Sequence, residues 1–159
     1  MNYEAFERDF MERTLHIVND YKGEYKVTLL INCLLGLLVL PAEKLFDRIE
    51  ETPLHEVLKD WDIPTSAIRN GTCSSLKYLI RRMRHSTAHL DLEFGADKGS
   101  IKSITFKHQK GCAHALNFDV ELDETDLSKF VMKLPSSLIE IEKTTDETGG
   151  QLEGQAESS

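Results

Sequence analysis

Arg84-His85-Ser86-Thr87-Ala88-His89 is the stretch on which the reading of this chain turns. It closes a helical pattern whose apolar marks are Leu76, Leu79, Ile80 and Met83. Arginine is a permanent cation whose planar fork of donors matches phosphate oxygens. Histidine, with an unperturbed pKa of about 6.5, both takes and gives a proton near neutrality. The two suffice for metal-free cleavage of a phosphodiester, because RNA carries its own nucleophile in the 2′-hydroxyl. His89 is the candidate general base or acid. Arg84 is the candidate clamp on the transition state, through hydrogen bonds that strengthen as negative charge builds. The products would be a 2′,3′-cyclic phosphate and a 5′-hydroxyl.

Geometry constrains this chemistry. Arg84 and His89 are five residues apart, so on an ideal helix they diverge by about 140°. They reach one phosphate only if the helix frays or a second copy contributes. A twofold axis beside the helix end would place two arginines and two histidines around one cleft. Lys77, Arg81 and Arg82 collect beside the motif and would attract RNA, while His85 would support polar contacts. Two plainer readings explain the same residues. Cations at a solvated helix end complement the helix dipole. His85 and His89 also stand at i, i+4, the spacing of a helical metal pair, although no HExxH pattern accompanies them. Asp91 and Glu93 could orient an imidazole but read more simply as a solvated linker. His108 and His114 read as exposed residues beside a turn.

Upstream, Tyr3 to Asn19 predicts an amphipathic helix with Phe6, Phe10, Leu15, Ile17 and Val18 as its apolar positions. Tyr21-Lys22-Gly23 breaks it. Glu24 to Leu40 predicts a helix apolar on nearly every side, the pattern of a domain centre. Pro41 kinks or restarts that helix, and Ala42 to Ile49 continues in helical period. A short helix is expected at Leu54 to Asp60, with Trp61 and Ile63 pinning the segment to the core. Ser74 or Ser75 is placed to cap the motif helix. Downstream, the period changes. Ile104 and Phe106, then Leu116, Phe118, Val120 and Leu122, alternate with polar residues around Lys110-Gly111. That is a two-stranded hairpin over about 101–122. Asp123 opens a last helix through Leu127, Phe130, Val131 and Leu134, which Pro135 interrupts.

Bulk properties set the class. The 159 residues read as one domain over 1–143 followed by a disordered acidic tail over 144–159. Four acids in that tail, with no base, account for half of the net charge of −8. The balance disfavours a protein that coats nucleic acid but permits a basic cleft. Cys33, Cys73 and Cys112 form no CxxC pair and read as reduced thiols, which predicts a cytoplasmic protein. The apolar run Val27 to Leu40 is shorter than a membrane span of roughly 20 residues, and no membrane association is expected. No P-loop, GxGxxG or GxSxG is present, and no cofactor or metal is expected.

The order of elements from about Tyr3 to Ile141 resembles the HEPN (higher eukaryotes and prokaryotes nucleotide-binding) family, whose ribonucleases carry an R-x4-6-H signature. The hairpin followed by a final helix is similar to a plasmid- and phage-borne bacterial branch of that family. Arg84 and His89 map onto the family's arginine and histidine, and His85 fits the position where Asn, Asp or His follows the arginine. The resemblance implies a mainly α fold, a HEPN-like helical bundle with a β-hairpin inserted between the motif helix and the last helix. It also implies a homodimer through the motif helix and a metal-independent endoribonuclease acting on RNA. Such enzymes serve in toxin–antitoxin pairs, with an antitoxin protein as partner, or in antiviral defence. Other members bind nucleotide, RNA or a partner protein without cutting, an alternative that the −8 charge suits. Some family toxins carry a modified tyrosine two positions after the histidine. Asp91 stands there in this chain, a departure from that mode of neutralisation.

Overall fold

Among the described residues, five helices pack with a four-stranded antiparallel sheet around one core. The computed structural model describes residues 6–39, 49, 51–70, 74–108 and 118–153. Helix α1 spans Phe6–Asp20 and α2 spans Lys26–Val39. Helix α3 covers Leu54–Asp60, and a 3-10 turn at Thr65–Ala67 leads into strand β1, Ile68–Asn70. Helix α4, Leu76–Ala88, carries the motif. Strands β2, Leu92–Asp97, β3, Ser100–His108, and β4, Phe118–Asp123, follow, and helix α5 runs over Glu124–Glu153. The expected continuation through Pro41 and over 42–48, the Lys110-Gly111 turn, Leu116, Cys73, Cys112 and His114 lie outside the described residues.

Helix α2 behaves as its composition predicts. Val27, Leu30, Ile31, Leu34, Leu37 and Leu38 are buried, and Thr28 and Asn32 occupy its exposed strip. Burial pushes the Cys33 thiol up from its ordinary pKa, so it stays neutral and packs as a small apolar group. Gly36 lets α1 approach closely, since a Cβ there would stand 3.0 Å from the Phe10 ring. The buried stripe of α1 differs from expectation. Met11, Thr14 and Val18 face inward, while Phe6 and Ile17 are exposed. Thr14 takes an apolar position because its hydroxyl donates to the Phe10 carbonyl at 2.7 Å, so no polar group is left unpaired. In α3, Leu54, Val57 and Leu58 turn inward, and Trp61 meets Phe130 edge-on at 5.2 Å. Trp61 and Ile63 are both buried, as expected.

The expected two-stranded hairpin is half of a larger sheet. Its strand order is β1-β4-β3-β2, antiparallel throughout. Phe106 pairs with Val120 and Ile104 with Leu122, and all four are buried against the helices. The segment after the motif, read as a solvated linker, is the edge strand β2. Leu92 and Phe94 pair with Phe106 and Ile104 and extend the apolar face. Glu93 and Asp97 hid this strand, because an edge strand tolerates charge on its solvent side. Beyond the sheet, the Asp123 carboxylate accepts the Asp126 backbone N–H at 2.9 Å and caps α5. Pro135 does not interrupt α5. Leu134 and Leu138, on either side of it, are fully buried, and burial worth about 1.5–3 kcal/mol each offsets a proline cost of about 3 kcal/mol. The helix continues into 144–153, the first part of the stretch expected to lack order; residues 154–159 are outside the description. Among the described residues, no helix is long and apolar enough to cross a membrane.

Candidate functional site

Helix α4 is fixed at both ends. At its start, the Ser75 hydroxyl accepts the Tyr78 backbone N–H and donates to Glu51 at 2.7 Å. The Leu54 N–H donates to the Ser74 carbonyl, tying α4 to α3. At its end, His89 is the cap, with its N–H on the His85 carbonyl at 3.1 Å. Leu90 N–H then reaches back to Thr87, and Asp91 N–H to Ser86, satisfying the last helical carbonyls in a Schellman turn. The Asp91 carbonyl accepts from Lys107 N–H, which stitches the motif's end to β3. Leu90 adopts φ 57°, the left-handed position at which glycine usually stands, and its side chain is 82% exposed.

The small residues inside the motif have a structural role. Ser86 is fully buried and its hydroxyl donates to the Arg82 carbonyl; Thr87 donates likewise to Met83. A larger side chain at Ser86 would collide with the core that Leu79, Ile80 and Met83 enter.

The helical hydrogen bonds continue unbroken to His89, so α4 does not fray between the two motif residues. Arg84 and His89 therefore keep the divergence of about 140° expected of a regular helix. Arg84, half-buried, shares its flank with Lys77 and the exposed Arg81. The other flank carries Tyr78, Arg82, His85 and His89. Both imidazoles are exposed, with ring centroids 4.2 Å apart and planes tilted by 49°. Arg82 lies over the Tyr78 ring and donates to its hydroxyl. The structure thus brings His85 and His89 together and places Arg84 elsewhere within one copy. Among the described residues, no group of three His, Cys, Asp or Glu side chains converges as metal ligands would.

Two residues near the motif escaped the sequence reading. Tyr78 is signalled by its i, i+4 spacing to Arg82, a pairing distance on a helix. Leu90 is signalled by the absence of glycine just past the helix end. Four cations without one acid in α4, on a chain of net charge −8, make this helix the described element with the most one-sided charge.

A family model described as HEPN pEK499 p136 matches residues 1–145. No curated protein and no solved structure matches the chain.

Proposed function

The chain belongs to the HEPN pEK499 p136 family, and from that membership we propose that it is a homodimeric, metal-independent endoribonuclease. HEPN domains are commonly ribonucleases or nucleotide-binding modules. In this reading His89 exchanges the proton of the 2′-hydroxyl or of the leaving 5′-oxygen. Arg84 holds the phosphate as charge builds on it. Lys77, Arg81 and Arg82 draw the strand in, and His85 supports polar contacts beside His89. The observation that carries the proposal is the HEPN match over residues 1–145, and the unbroken helix between Arg84 and His89 adds the dimer to it. One copy points the two away from each other, so an arginine and a histidine meet at one phosphate when two α4 ends face across a twofold axis. Service in a toxin–antitoxin pair or in antiphage defence, with an antitoxin protein as partner, belongs to the same proposal.

The test is incubation of the purified protein with mixed RNA, with and without EDTA, followed by analysis of the ends. The proposal expects 2′,3′-cyclic phosphates and 5′-hydroxyls in both. Cleavage that EDTA abolishes would contradict it and favour the His85–His89 metal pair. The net charge of −8 favours a second reading, a dimer that binds nucleotide, RNA or a partner protein without turnover. RNA retained intact supports that one.

A further inference from the structure

The flank of α4 that carries His89 also holds a pair of side chains arranged to grip a ligand. Arg82 Nε–H donates to the Tyr78 hydroxyl at 2.8 Å, and the guanidinium carbon lies 4.8 Å from the Tyr78 ring centroid. The ring covers one side of the guanidinium and the hydroxyl occupies Nε–H. The Nη hydrogens remain, the end of the fork that pairs with two oxygens of a phosphate. Among the described residues Arg82 meets no carboxylate, and its partner there is Tyr78. Holding an arginine in one rotamer costs side-chain entropy, and that cost is met before any ligand arrives. Preorganisation of this kind raises affinity for whatever the fork receives.

Position separates this pair from the reacting atoms. Arg82 and His89 lie within about 20° around the helix and about 10 Å apart along it. Helical side chains lean toward the N-terminus, and the bond to Tyr78 draws the guanidinium further that way, away from His89. Arg82 cannot keep Tyr78 and also reach the phosphate at which His89 exchanges protons. A strand laid along this flank would offer Arg82 the phosphate of a neighbouring nucleotide. We infer that Tyr78 and Arg82 form a subsite for the nucleotide beside the scissile linkage of single-stranded RNA, Arg82 holding its phosphate and Tyr78 acting as the positioning residue. The inference rests on the ribonuclease reading above.

A double-mutant cycle tests it, using the full chain and a 2′-O-methyl RNA oligonucleotide, which lacks the nucleophile and reports binding alone. Affinity is read by fluorescence anisotropy across a salt series. Arg82→Ala weakens binding by about tenfold, the value of one charge-assisted contact, and lowers the salt slope by about 0.7, one phosphate of a single strand. Arg82→Lys keeps the charge and the slope but loses the fork, and recovers little of the affinity. Tyr78→Phe weakens binding by about threefold, within the range of one neutral hydrogen bond, with the slope unchanged. The double variant Tyr78→Phe, Arg82→Ala is no weaker than Arg82→Ala, because Tyr78 acts through Arg82. The inference is overturned if Tyr78→Phe binds like wild type, or if its loss multiplies with that of Arg82→Ala. Variants that show these differences while the wild type leaves cleavable RNA intact sink the ribonuclease reading and leave Tyr78 and Arg82 as a subsite for bound RNA. A wild type that cleaves RNA while Tyr78→Phe binds normally sinks the subsite alone. Absence of any binding by the wild type overturns both.

Discussion

Helices α2 and α4 are packed neighbours of nearly equal length, 14 and 13 residues, and they answer to different demands. Packing accounts for α2 almost entirely. Its six buried aliphatic residues face the core, and Gly36 admits the Phe10 ring. Packing accounts for only one face of α4. Leu76, Leu79, Ile80, Met83 and Ser86 go inward, and the rest of the helix carries four cations and, at its end, two adjacent exposed histidines. Core burial thus explains α2 and one face of α4, and the other face of α4 carries the proposed motif.

Substitutions can break this contrast. The largest effect is expected at the motif. His89→Ala should lower RNA cleavage by about 10³-fold, within the range of a lost general acid–base, while stability stays within about 0.5 kcal/mol of wild type because the side chain is exposed. Arg84→Ala should lower cleavage by about 10²–10³-fold, the cost of a lost transition-state donor, with the helical circular dichroism retained. A urea titration on each variant separates chemistry from folding.

In α2 the expectation reverses. Leu34→Ala, at a site with no solvent exposure, should destabilise by about 2–5 kcal/mol. Cleavage would fall only with the folded fraction, so activity per folded molecule should match wild type. A Leu34→Ala protein with native stability would break the contrast from the other side.

Leu90 sharpens it further. Leu90→Gly relieves the left-handed backbone at φ 57° and should stabilise the fold by about 1 kcal/mol, read as a rise of roughly 2–4 °C in Tm. A fall in Tm would show that the leucine side chain contributes to the monomer.

The smallest effect is expected outside both helices. The Lys129 ammonium, by hydrogen bond and then by charge, holds the Asp62 carboxyl below its ordinary range. A depressed carboxylate contributes stability above its unfolded pKa of about 3.9, and that contribution disappears as the pH falls through the folded value. Asp62→Asn, which tolerates the same left-handed backbone, should therefore lose a little stability at pH 7 and nothing near pH 2. Melting curves at the two pH values check this.

The sequence carried most of this contrast. Periodicity gave α1, α2, α3 and the start of α5, and Ser74-Ser75 marked the start of α4, with Ser75 the cap in the structure. The alternation of Ile104 and Phe106, and of Val120 and Leu122, with polar residues gave β3 and β4. What escaped it was set by tertiary context. Strand β1 is three residues long and leaves no periodic trace. Strand β2 carries charge because it lies at an edge. Pro135 sits inside a helix because leucines on either side are buried. In the candidate site, Arg84, His85 and His89 were legible as a motif, but the partner of Arg82 was not, since Tyr78 acquires meaning only once both side chains share a flank.

In the proposed dimer, Arg84 of one copy and His89 of another act on the same phosphodiester. Arg84→Ala and His89→Ala proteins, each unable to cleave, can be unfolded together, refolded as a mixture and given RNA. Half of the dimers would then be mixed and each would hold one intact pair, so the mixture should regain about a quarter of wild-type activity, with 2′,3′-cyclic phosphate ends. A mixture no more active than either variant alone would contradict the account.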